Sequence, residues 1–185
     1  MKQLVRDIPN IITVSRIGLI PVLVIAFNIN HNFAHYIVIC IFVFASLTDF
    51  LDGFLARIWK AESRFGKMLD PIADKLLVAS TLLMMVDQKI APVTPIIVIL
   101  CREILVSGMR EYLGELKVAV SLPVSSLAKI KTVTQMLAII ILLLGENTFF
   151  GYHLQTFGQV ALWLSAALTV LTGYFYFKQG LKYFN

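Results

Sequence analysis

Apolar residues fill the chain in six runs, each closed by a short cluster of polar residues, glycine or proline. Each run is about 17 to 25 residues long, the length a helix needs to cross a hydrocarbon core. The runs fall at 11–28, 33–57, 68–87, 92–113, 124–145 and 157–178. Between them lie Asn28 to Asn32, Ile58 to Lys67, Gln88 to Ala91, Gly114 to Pro123 and Gly145 to Thr156, connections short enough to join antiparallel neighbours. The pattern predicts an all-α polytopic membrane protein, a six-transmembrane-helix bundle forming one domain over residues 1–185. Residues 2–8, just before Pro9, read either as a short interfacial segment or as a plain polar lead-in. No repeat or low-complexity tract interrupts the pattern.

Composition agrees with a lipid environment. Of 185 residues, 58% are hydrophobic and 15% charged, and the mean hydropathy is +0.83, which excludes an ordinary soluble domain. Lys2, Arg6 and Asp7 lead into an apolar run with no small-residue cleavage pattern, so the first span is expected to stay rather than to leave as a signal peptide. Cys40 and Cys101 lie inside apolar runs, where a thiol behaves as a small hydrophobe. The basic residues are sided: Lys2, Arg6, Arg16, Arg57, Lys60, Arg64, Lys67, Lys75, Arg102, Arg110, Lys117, Lys129, Lys131, Lys178 and Lys182 fall on one side, and of the 16 Lys and Arg only Lys89 falls on the other. By the positive-inside rule both termini and the second-to-third and fourth-to-fifth connections face the cytoplasm, which places the protein in the cytoplasmic (inner) membrane. No nucleic-acid partner is expected.

One segment does not fit a chain built only for lipid. Residues 49–74 read DFLDGFLARIWKAESRFGKMLDPIAD, with Asp49, Asp52, Asp70 and Asp74 at the cytoplasmic joint of two apolar runs. Ionisable groups at membrane depth are costly and mark sites. In a helix Asp49 and Asp52, three apart, share a face; Asp70 and Asp74, four apart, do so too, with Pro71 suited to the first turn of the third helix. Four crowded carboxylates repel unless cations join them, and an all-carboxylate donor set suits Mg²⁺ or Mn²⁺ rather than zinc. His31, His35 and His153 fall on the far side. Two such ions typically clamp a phosphoryl group, and a nucleotide diphosphate fits that role. Gly53, Ala56 and Gly66 keep the pocket wall thin, and Arg57 can pair with a phosphate or a carboxylate. Singly, Asp49 or Asp52 also reads as a solvated helix end paired with Arg57 and Lys60, and Gly53 as a packing glycine; together the four carboxylates argue for a site.

The spacing D-x2-D-G-x2-A-R-x8-G-x3-D-x3-D, carried by Asp49, Asp52, Gly53, Ala56, Arg57, Gly66, Asp70 and Asp74, resembles the signature of the CDP-alcohol phosphotransferase family at every position. The resemblance implies a six-helix membrane fold, usually dimeric, that cleaves a CDP-linked pyrophosphate and passes the phosphoalcohol half to a hydroxyl. It also implies that Asp49, Asp52 and Asp70 bind metal and that Asp74 is the general base with metal contact. Gly53, Ala56, Arg57 and Gly66 would line the cytidine diphosphate pocket. Within the family, IPNIITVSRIGLIP at 8–21, CREILVSGMRE at 101–111 and AKIKTVTQM at 128–136 resemble the bacterial branch that acts on CDP-diacylglycerol and glycerol 3-phosphate, with Ala128 where Gly is commoner.

A small dianionic acceptor needs fixed positive charge, and a forked guanidinium serves a phosphate best. Arg110, Lys129 and Lys131, at cytoplasmic helix ends, are the candidates, with an interfacial anchor as the other reading of Arg110. Arg102 and Glu103 lie deeper and read as an internal ion pair. Asn10, Thr13 and Arg16 can help bind the nucleotide, although Asn10 and Thr13 also fit an ordinary helix start. Trp163 and the run Tyr174 to Phe177 read as lipid-facing or interfacial. The rival readings are the same chemistry with phosphatidylglycerol, inositol phosphate or serine as acceptor; an ion transporter, which needs a polar route across both leaflets; and a structural protein whose acidic cluster only binds ions.

Overall fold

The computed structural model describes residues 2–29, 32–59, 64–115, 126–145 and 151–181, with side chains described over 13–29, 34–48, 69–114, 127–145, 152–178 and 180–181. Among the described residues there are six helices and no strand: α1 (Lys2–Asn28), α2 (Asn32–Trp59), α3 (Arg64–Asp87), α4 (Val93–Glu115), α5 (Ser126–Gly145) and α6 (Gly151–Gly180). Each coincides with one of the six apolar runs; α1, α2, α3 and α6 contain theirs whole, while α4 and α5 begin one and two residues inside theirs. α1 starts at Lys2, so residues 2–8 belong to the first helix rather than to a separate segment.

The chain divides into two compact units, Met1–Gln88 and Lys89–Asn185. In the first, α1 is the shared neighbour of α2 and α3. Its buried positions Thr13, Arg16, Leu23 and Phe27 recur at helical spacing on one face. α2 meets it with Ala34, Val38, Phe42 and Ala45, and α3 contributes Ala73, Leu77, Thr81 and Met85. In the second unit α6 is the shared neighbour of α4 and α5, and its stripe of Gly158, Leu162, Ser165, Thr169, Thr172, Gly173, Tyr176 and Gly180 is buried. Small residues there let backbones approach closely. A Cβ on Gly158 would stand 2.6 Å from Leu142 Cγ, and one on Gly173 would stand 3.0 Å from Arg102 Cγ.

The outer surface is far more apolar than that of a water-soluble bundle, and polar groups are set within a largely apolar interior. Large apolar side chains point outward, among them Ile25, Phe44, Leu83, Ile104, Phe157 and Val160, while Arg16, Thr81, Lys131, Gln135, Ser165, Thr169 and Thr172 are buried. Among the described residues, Leu127–Gly145 and Tyr152–Lys178 are long and apolar enough to cross a membrane, and Thr13–Asn28 and Ala34–Thr48 are shorter apolar stretches. These features support membrane association.

The expected start of the third helix is corrected. The sequence places Pro71 in its first turn, but α3 begins at Arg64 and holds Pro71 in its interior. The turn preceding the proline is helical, so the missing N–H of Pro71 leaves the carbonyl of residue 67 without its usual helical partner.

Candidate active site

Asp70 and Asp74 stand one turn apart on α3, and two residues of α1 reach them. Thr13 Oγ1 donates to Asp70 Oδ1 at 2.9 Å. Arg16 Nη1 donates to Asp74 Oδ1 and lies 3.8 Å from Asp70 Oδ1. Thr13 and Arg16 are buried, whereas the Asp70 and Asp74 side chains are 40% and 38% exposed. A buried guanidinium held against partly open carboxylates orients them and leaves oxygen atoms facing out. Carboxylate oxygens are the donors that a hard divalent ion prefers, so Asp70 and Asp74 have the donor chemistry for one.

Asp49, Asp52, Gly53, Ala56 and Arg57 all lie on the last three turns of α2, Gly66 lies in the first turn of α3, and Asn10 lies one turn before Thr13 on α1. Their side chains are outside the described residues, and so is any meeting of the two acidic ledges. Among the described residues no group of three or more His, Cys, Asp or Glu is arranged to hold a metal.

Arg102 of α4 and Lys131 of α5 are set in a polar network threaded through apolar helices. Arg102 Nη1 donates to Glu103 Oε1 at 3.0 Å and Arg102 Nη2 to Thr172 Oγ1 of α6 at 3.0 Å. Lys131 of α5 donates to the same Glu103 oxygen. The internal ion pair expected for Arg102 and Glu103 is present, and it ties all three helices of the unit together. Lys131 is buried and engaged with Glu103, while Lys129, two residues earlier, is exposed. Arg110 is exposed, its guanidinium carbon 5.7 Å from the centre of the Tyr176 ring and its Nη2 3.3 Å from the Tyr176 hydroxyl.

Tyr176 corrects one expectation. Tyr174, Phe175 and Phe177 are exposed as an aromatic belt requires, but Tyr176 is buried at 8% exposure between Arg102 and Arg110 of α4. Its signal in the sequence is register: Tyr176 continues the Thr169, Thr172 stripe of α6, and the other three aromatics do not.

The model of the CDP-alcohol phosphatidyltransferase family matches residues 6–171. This chain belongs to that family. The match spans all four aspartates of the signature and Arg102, Arg110, Lys129 and Lys131, and it ends just before Thr172 and Tyr176. Members of the family generally depend on divalent metal, in keeping with the donor chemistry of Asp70 and Asp74. The chain is 46% identical to a Rickettsia felis protein over 97% of its own length and 98% of that protein's. It is 37% identical to one from Cereibacter sphaeroides over 96% of each, and 39% identical to one from Haemophilus influenzae over 89% of this chain and 88% of the other. All three relatives are named CDP-diacylglycerol–glycerol-3-phosphate 3-phosphatidyltransferase.

Proposed function

We propose that this chain transfers the phosphatidyl group of CDP-diacylglycerol to sn-glycerol 3-phosphate, giving phosphatidylglycerophosphate and CMP in phospholipid biosynthesis. The observation that carries the reading is the complete eight-position signature in a chain that matches enzymes of that name along nearly its whole length. The oriented pair Asp70 and Asp74 gives the signature a physical basis.

In this reading Asp49, Asp52, Asp70 and Asp74 hold two divalent ions, Mg²⁺ or Mn²⁺. Bound there, the ions supply the charge neutralisation that a pyrophosphate needs as it is cleaved. Asn10, Thr13, Gly53, Ala56, Arg57 and Gly66 bind the cytidine diphosphate. Thr13 and Arg16 keep the Asp70 and Asp74 carboxylates oriented, so that little reorganisation is left for the chemical step. Asp74 accepts the proton of the 1-hydroxyl of glycerol 3-phosphate as that oxygen bonds to the phosphorus bearing diacylglycerol; the P–O bond to CMP breaks, and CMP carries away the electron pair. Arg110 and Lys129 supply the positive charge that the acceptor's phosphate requires, while Lys131, expected from the sequence to join them, is buried and engaged with Glu103. The lipid keeps its acyl chains in the bilayer throughout. The protein works as a single domain with six spans, as a homodimer in the cytoplasmic membrane, and its site faces the cytoplasm.

The test is purified protein with radiolabelled CDP-diacylglycerol and a panel of alcohols comprising glycerol 3-phosphate, phosphatidylglycerol, inositol phosphate and serine. Label is expected in phosphatidylglycerophosphate; label appearing only with another acceptor would refute the assignment.

A further inference from the structure

The second unit contains a chain of contacts that ends on Arg110. Lys131 of α5 pairs with Glu103 of α4, and Glu103 holds Arg102, which also donates to Thr172 of α6. Gly173 gives Arg102 its room, since a Cβ there would meet Arg102 Cγ at 3.0 Å and Nε at 3.4 Å. The guanidinium of Arg102, fixed in this way, lies 5.7 Å from the centre of the Tyr176 ring. The guanidinium of Arg110 lies 5.7 Å from the same centre and donates from Nη2 to the Tyr176 hydroxyl at 3.3 Å.

The physics of the two ends differs. Arg102 is largely buried, at 14% side-chain exposure, and bonded twice. Arg110 is an exposed side chain that in isolation would sample many rotamers and lose that freedom on gripping an anion. Tyr176 is 92% buried, and a ring so packed has little freedom to turn. Its face attracts the guanidinium through the ring quadrupole, and its hydroxyl accepts one N–H, so it offers Arg110 two restraints at once. The Arg110 donors that do not meet Tyr176 stay available to a phosphate.

We infer that Tyr176 is a positioning residue for the acceptor: it pre-organises Arg110 to receive the phosphate of glycerol 3-phosphate, while Arg102 and Glu103 anchor the ring from behind. The inference rests on the proposed reading of Arg110 as a phosphate ligand. It also assigns Lys131 to the anchoring end of this chain of contacts, where its charge serves Glu103.

The test is steady-state kinetics on the full-length protein in lipid nanodiscs, at saturating CDP-diacylglycerol and varied glycerol 3-phosphate, for wild type, Tyr176→Phe, Arg110→Ala and the double variant. Tyr176→Phe keeps the ring and loses the hydroxyl. It is expected to raise the KM for glycerol 3-phosphate about three- to tenfold, the worth of one hydrogen bond, with kcat and the KM for CDP-diacylglycerol within about twofold of wild type. In the Arg110→Ala background the same change is expected to add nothing, because its effect runs through Arg110. A wild-type KM for Tyr176→Phe beside a raised KM for Arg110→Ala would overturn the positioning role and leave the phosphate role of Arg110 standing. Additive effects in the double variant, or a fall in kcat with both KM values raised, would overturn it in favour of a structural role for the ring. A wild-type KM for Arg110→Ala would remove the phosphate reading itself, and this inference with it.

Discussion

At the scale of single residues, the proposed chemistry rests on Asp70 and Asp74, and two α1 side chains, Thr13 and Arg16, hold these carboxylates. Replacing Asp70 or Asp74 by Asn removes a charge at nearly constant volume, so turnover is expected to vanish while the protein still inserts, checked by CMP release alongside membrane yield. Arg16 is buried against two carboxylates, and removing it leaves them facing each other without their common cation. Arg16→Met is expected to lower stability in detergent by about 1–3 kcal/mol, the range for hydrogen bonds to charged groups, read as a lower melting midpoint. The aspartate pair was legible because four-residue spacing puts two side chains on one helix face whatever the rest of the fold does. The partnership with Arg16 was not, because it joins positions 58 residues apart, and a long-range pairing leaves no trace in local periodicity. Pro71 misleads for a related reason: a proline signals a helix start only when the preceding turn is not already helical, and here it is.

At the scale of elements, the second unit is organised by the buried stripe of α6. Gly158→Ala would set a methyl 2.6 Å from Leu142 Cγ and 3.2 Å from the Leu142 backbone nitrogen. The side chain can yield but the backbone cannot easily do so, and a loss of about 1–3 kcal/mol is expected from overpacking. Leu142→Ala in the same molecule is expected to recover only the part of that loss owed to the side-chain clash, measured by thermal unfolding of the single and double variants. The ion pair of Glu103 and Lys131 follows a different logic. Removing the Glu103 charge leaves the buried Lys131 ammonium without its carboxylate, whereas Glu103 keeps Arg102 when Lys131 is removed, so Glu103→Gln should destabilise more than Lys131→Met, read as the lower melting midpoint. Hydrophobic patterning located all six helices, since apolar runs of this length have few other uses. It did not separate Tyr176 from Tyr174, Phe175 and Phe177, because four consecutive aromatics look alike until the register of the helix is fixed by its buried face.

At the scale of the molecule, the many exposed large apolar side chains support membrane association, and the sided basic residues set the proposed orientation. Single cysteines introduced at Asn30 and Glu62 of a variant lacking Cys40 and Cys101 are expected to react with impermeant thiol reagents from opposite faces of sealed vesicles, Glu62 from the cytoplasmic face. Reaction of both from one face would contradict the topology. The proposed function gives the acidic segment a reason: a nucleotide-linked lipid would present its pyrophosphate at the membrane boundary, and carboxylates there would hold divalent ions beside it. The most direct measurement is CMP release by purified protein given CDP-diacylglycerol and glycerol 3-phosphate, with Mg²⁺ or Mn²⁺ and then with chelator. The account expects CMP and phosphatidylglycerophosphate in equal amounts, both lost on chelation and restored by the divalent ion; release that persists without divalent metal, or no release with it, would contradict the claim that these aspartates act by holding metal against a pyrophosphate.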